Sequence, residues 1–187
     1  MSEKANDLLI CITCIKEQLV KIYDMCLCTQ KWESRESFYL KNNDWTMECW
    51  VNVKDFSSNN MVATRYNSPA NTNSNSQFQL SINSATQIIA NLCSGTTESS
   101  AIFNGSALSV NTWYHLALVR YSNNIYCYVN GQVYGTPVAY SSTLNDGIYN
   151  FLLGNRNNGD LKFSGYISNF RLINGQAAYT STFTPST

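Results

Sequence analysis

From Phe38 onward the chain is written in short runs that alternate apolar and polar residues, and this rhythm constrains the fold more than any other feature. "WTMECWVNV" sets Trp45, Met47, Cys49 and Val51 against Thr46, Glu48, Trp50 and Asn52, the period of a strand with two unlike faces. "NMVATRY", "FQLSI", "QIIANLC", "TWYHLALVRY", "NIYCYVNGQVYG", "YNFLLGN" and "SGYISNFRLI" follow, separated by clusters of Asn, Ser and Gly. Short strands at such spacing predict an all-β fold, an antiparallel sandwich. Asn130-Gly131 between two alternating runs predicts a type I′ hairpin, because both central residues must take positive φ. "LNDGI" at 144–148 reads as a second turn, and the polar stretch from Asn67 to Gln77 as a long loop. In the last run, strict alternation sends Tyr166, Ser168, Phe170 and Leu172 one way and Ile167, Asn169, Arg171 and Ile173 the other. Strand context assigns Trp50 and Trp113 to the core, together with Cys49 and Cys127 as small hydrophobes. Arg120 and Arg171 are expected to lay their stems on the sheet and keep their heads wet.

Residues 5–28 follow a different period. Leu8, Ile12, Ile15, Leu19, Ile22 and Cys26 are spaced by alternating steps of 4 and 3, a heptad seam that predicts one N-terminal α-helix. The chain therefore divides into an anchoring or oligomerisation helix at 1–30 and a sandwich at 31–187. Isoleucine and leucine mixed along the seam favour a homo-oligomer of trimeric or tetrameric kind. Leu9, Ile10 and Val20 widen the apolar face, so docking on another protein stands as the second reading. The seven cysteines are odd in number, and reduced thiols are expected. Cys11/Cys14 with Cys26/Cys28 match the usual zinc spacing poorly.

Twelve basic residues balance twelve acidic ones, and the basic residues do not cluster, which argues against nucleic acid as a partner. No apolar run reaches the length of a transmembrane helix, and the run from Leu8 to Ile15 lacks the flanks of a signal peptide. Synthesis in a cytoplasm, with no membrane partner, is the expectation.

Three segments carry a resemblance. "DWTMECWVNV" (44–53), "NTWYHLALVRYSNNIYCYVNGQ" (111–132) and "LGNRNNGDLKFSGYISNFRLINGQAAYTSTFTP" (153–185) resemble the laminin-G-like, concanavalin A-like lectin/glucanase superfamily. The ending is similar to the variant found in virion proteins of tailed phages and large DNA viruses. The resemblance covers residues 38–187 and implies a jelly-roll of two curved antiparallel sheets. It implies that "YISNFRL" returns beside a strand from the start of the domain and that "YTSTFTP" runs off along the edge. The first strand of relatives is here reduced to Ser37–Leu40.

Catalytic chemistry is not written in this chain. Retaining glycoside cleavage needs two carboxyls about 5 Å apart, and Glu48 has no companion acid on its strand. His115, the single histidine, is expected to make a structural hydrogen bond, and no P-loop or catalytic triad is legible. The chain is therefore read as no enzyme. No cofactor is required. Relatives that hold calcium at the rim make Asp160 the candidate ligand, although hard calcium prefers several carboxylates. Sugar recognition needs aromatic faces and planar amides on loops held by a rigid scaffold. Tyr66, Asn67, Tyr140, Asn155, Arg156 and Asn158 are the candidates. The resemblance implies a virion-surface protein that displays a lectin-like sandwich to host glycans; the alternative is a purely structural decoration or cement subunit.

Overall fold

The computed structural model describes residues 10–12, 39–66, 76–147, 149–156 and 161–186. Among these described residues are twelve strands: β1 (Ile10–Ile12), β2 (Trp45–Val53), β3 (Asn60–Tyr66), β4 (Ser76–Ser84), β5 (Gln87–Ser94), β6 (Thr97–Asn104), β7 (Trp113–Tyr121), β8 (Asn124–Val129), β9 (Gln132–Val133), β10 (Val138–Ala139), β11 (Asn150–Leu153) and β12 (Gly165–Asn174). They form two antiparallel sheets. One is ordered β1-β12-β2-β7-β8-β10, with β9 also on β8; the other is ordered β11-β3-β4-β5-β6. This is the expected sandwich, and β12 lies beside β2 as anticipated.

Alternation builds the core. Trp45, Met47, Cys49, Val51 and Val53 of β2 face Phe78, Leu80 and Ile82 of β4 and Ile88, Ala90 and Leu92 of β5 within one apolar cluster. Cys49, Cys93 and Cys127 are free, buried thiols, and burial pushes that of Cys93 up to about 11. The Asn130-Gly131 turn has φ of 50° and 75° and joins Val129 to Gln132, the hairpin read from the sequence. β6, which the sequence reading passes over, presents exposed Thr97, Glu98, Ser99 and Ser100 in its first half, and only Ala101 and Phe103 reach the core.

Three expectations change. Of the helix expected over 5–28, only Ile10–Ile12 is described, and it is a strand in register with Leu172, Arg171 and Phe170. The edge of β12 offers backbone groups for pairing, and a run with β-branched Ile10 and Ile12 is suited to take them. Ile12 is thus a strand residue rather than a seam position; Leu8, Ile15, Leu19, Ile22 and Cys26 lie outside the described residues. The strand expected at Ser37–Leu40 is not formed at Tyr39 and Leu40, which are irregular chain. Third, β12 does not alternate strictly. Ser168 pairs with Trp50 and Arg171 with Glu48, so one extra residue is accommodated between them, where Asn169 takes a φ of 51°. Asparagine tolerates that left-handed conformation, and the resulting bulge reverses the phase of the strand. Phe170 and Leu172 stay in the core, while Tyr166 and Ser168 share the outer face with Arg171.

Candidate functional site: the outer face of the larger sheet

The residues of β2 that alternate with the core, namely Thr46, Glu48, Trp50 and Asn52, form the spine of this face, with β12 on one side and β7 on the other. The two halves of the face differ.

The lower half is covered. After β12, residues 176–183 do not follow the sheet edge, as the resemblance implies, but cross the face. Thr46 Oγ1 donates to the Gln176 carbonyl at 3.2 Å and accepts from Ala178 N at 2.8 Å. Phe183 N donates to the Gly131 carbonyl at 3.0 Å, fastening the far end to the β8–β9 turn. Between these points Ala177, Tyr179 and Phe183 pack on Ala117, Val119 and Tyr128. The rings of Tyr179 and Phe183 stack at 3.5 Å with 4° between their planes. Beneath them Glu48, only 6% exposed, meets the guanidinium of Arg171 and lies 3.3 Å from His115 Nε2. Arg171 also donates to the Tyr179 hydroxyl at 3.2 Å. Burial alone would raise the Glu48 carboxyl, but hydrogen bonds from His115 and Tyr179 and the charge of Arg171 outweigh it and hold the group below its ordinary value. Burial and the hydrogen bond to Glu48 push Tyr179 up to about 12. His115 thus makes the structural contact expected of it, while Glu48 is enclosed by a guanidinium, an imidazole and a phenol.

The upper half is covered by no described segment. In register across three strands lie Trp113 of β7, Asn52 of β2 and Tyr166 of β12. Trp113 is 38% exposed, so its place is the surface and not the core expected for it. The rings of Trp113 and Tyr166 lean together over Asn52, with centroids 6.4 Å apart and planes inclined by 32°. Asn52, only 7% exposed, lies between the two rings. One step along, Trp50 is half-buried, again not core, and meets His115 edge-on at 5.4 Å. Lys54 closes this end, its ammonium 4.7 Å from the centre of the Tyr166 ring.

Of the sugar candidates read from the sequence, the structure brings three together and separates a fourth. Tyr66 ends β3 and is buried, not loop-placed; the Arg156 guanidinium lies 5.5 Å over its ring. Asn155 turns its side-chain oxygen to accept from Arg156 N at 2.7 Å, and its carbonyl accepts from Thr64 Oγ1 at 3.4 Å. Tyr140 belongs to the core at the opposite sheet's edge, under the guanidinium of Arg120. Arg120 is fully buried rather than wet at its head, and donates to the carbonyls of Lys41 at 2.8 Å and Tyr140 at 3.4 Å. Asn67, Asn158 and Asp160 lie outside the described residues. Among the described residues no three metal-ligating side chains converge.

The match of the concanavalin A-like lectin/glucanases superfamily spans residues 30–181. Among curated proteins, none matches the chain in sequence. Several solved structures share the fold. The CBM40 module of the Ruminococcus gnavus IT-sialidase superposes with a TM-score of 0.60 at 12% identity, covering 74% of this chain and 79% of the module. Bound to α2,3-sialyllactose, the same module gives 0.55 at 10% identity over 74% and 78%. The binding domain of botulinum neurotoxin serotype G gives 0.53 at 15% identity, covering 73% of this chain and 34% of the other. The likeness at these identities is one of fold.

Proposed function

The chain belongs to the concanavalin A-like lectin/glucanases superfamily, and on that premise we propose that it is a non-catalytic, glycan-binding module displayed on a virion or a comparable surface assembly. The observation that carries this reading is the row Trp113–Asn52–Tyr166. The apolar C–H face of a sugar ring packs on aromatic rings, and its hydroxyls pair with planar amides, which supply both donors and an acceptor. Here two rings lean together with an amide in register between them. Binding sites have this composition, mostly aromatic and apolar with a few placed polar groups. The carbohydrate-binding module bound to sialyllactose shows that the fold can serve such a role.

Hydrolysis is the poorer reading. Glu48 is the carboxylate of this face, and its contacts are Arg171, His115 and Tyr179 rather than a second acid; glycosidases use a carboxyl pair. A decoration subunit without glycan binding is the second reading, and the observation that favours it is the tail that seals half of the same face. In either case residues 1–30 are proposed to attach the sandwich to a second copy or to another virion protein, and repetition of a weak site would raise avidity.

The test is a glycan array probed with the full chain presented multivalently. Binding is expected, and Trp113→Ala or Asn52→Ala should abolish it while thermal stability is kept. Silence across a broad array would select the decoration reading.

A further inference from the structure

Lys54 stands where the upper half of the face meets solvent. It follows Val53, a core residue, so alternation sets it on the same side as Asn52. Its backbone N–H donates to the Ser164 carbonyl at 2.7 Å, which fixes the base of the side chain beside β12. Its ammonium then rests against Tyr166, 4.7 Å from the ring centre, a cation–π contact that keeps the charge next to the aromatic pair. No described carboxylate pairs with it. The neighbouring acid, Asp55, is turned to Ser57, accepting from its N–H at 2.8 Å and its hydroxyl at 2.5 Å. Lys41 is paired with Asp146, and Glu48, the acid of the face itself, is bound by Arg171. Among the described residues the ammonium of Lys54 is thus an uncompensated positive charge, at the rim of a surface otherwise made of rings and an amide.

We infer that the Trp113–Asn52–Tyr166 surface selects sugars that carry a carboxylate, with Lys54 reading the charge. This rests on the glycan-binding reading of the same face. A pyranose stacked on the two rings carries its exocyclic group at the ring margin, where an ammonium can meet it. A carboxylate there forms a charge-assisted hydrogen bond, stronger than the bond a hydroxyl would make in its place. A lysine offers a mobile point charge rather than the two-pronged fork of arginine, so the site tolerates acids of several ring geometries. A neutral sugar keeps the stacking and the amide and loses only this contact.

The experiment compares paired ligands on the full chain: glucose with glucuronic acid, galactose with galacturonic acid, and lactose with sialyllactose. Saturation-transfer NMR detects contact, and titration gives affinity. At least one acidic member should bind about tenfold more tightly than its neutral partner, a difference of the size one charged hydrogen bond contributes. The preference should shrink as salt screens the exposed charge. Lys54→Gln should erase the preference, bringing the acidic member to within about twofold of its neutral partner. Lys54→Arg should retain it. Equal binding of acidic and neutral members, unchanged in Lys54→Gln, overturns the charge selection and leaves the glycan reading standing. If no pair binds and Trp113→Ala alters nothing, the platform reading falls and this inference with it.

Discussion

The two halves of one sheet face are built from the same strands and end differently. Around Glu48 the surface carries a charge network and is roofed by Tyr179 and Phe183. Around Asn52 it carries two aromatic rings and an amide, and no described segment roofs it. The difference shows what a covering segment does. Buried polar groups need partners, and the tail brings a phenol to a carboxylate–guanidinium pair that would otherwise be half-solvated. In the other half no described segment covers the rings and the amide, which leaves Trp113 more than a third exposed.

If the covered half is structural, breaking it should cost stability first. Glu48→Ala leaves Arg171 and Tyr179 without their acceptor, and a loss of about 3 kcal/mol in denaturant unfolding is expected, the scale for removing one member of a buried ion pair. Wild-type stability after that substitution would mean that the pair is incidental.

Titration should act on the same half from both sides. The Glu48 carboxyl lies below its ordinary value of 4.5, so its contribution is full above that pH and is lost as pH falls through the lowered value. Tyr179 is raised from 10 to about 12, so its contribution is full below 10 and is lost as pH rises toward 12. Protection factors at Ala178 and Phe183, with the intrinsic pH dependence of exchange divided out, should therefore be highest at intermediate pH and fall at both extremes. A flat profile would separate the tail from Glu48 and Tyr179.

Gly131 is the smaller lever. Its φ is 75°, and a Cβ there would come within 1.8 Å of the Phe183 carbonyl oxygen. Gly131→Ala should cost about 1–2 kcal/mol through backbone strain and displacement of the tail. Because the turn itself would survive, exchange should quicken at Phe183 and not at Val129.

The smallest effect sharpens the comparison most. Trp113→Ala should change stability by no more than about 1 kcal/mol, since the ring is more than a third exposed and covers little core. A loss like that of Glu48→Ala would mean that the two halves serve the same purpose.

Much of this architecture is legible before any coordinates. Alternation around Met47 and Cys49, and the Asn130-Gly131 turn, depend on periods and φ preferences that a few neighbouring residues enforce. The site was less so. Trp113 and Trp50 sit in strand patterns, and a large aromatic in a strand has the same local signature on the inner and the outer face. A usable signal did exist: Trp50 and Asn52 alternate with the core residues of β2, and Trp113 pairs with Asn52 once β7 is placed beside β2. Tyr66 and Tyr140 were drawn to loops by their Asn- and Ser-rich neighbours, yet tertiary packing closes over both.

What the amino-acid order alone determined is therefore the sandwich, its hairpins and the two-sidedness of each strand, because these follow from contacts between residues close in sequence. Only the assembled fold decided that Asn169 would bulge, that Ile10–Ile12 would pair with β12, that residues 176–183 would cross three strands, and that Trp113 and Tyr166 would meet over Asn52. Each of those depends on partners dozens of positions away, and a local pattern carries no information about which distant surface will be covered.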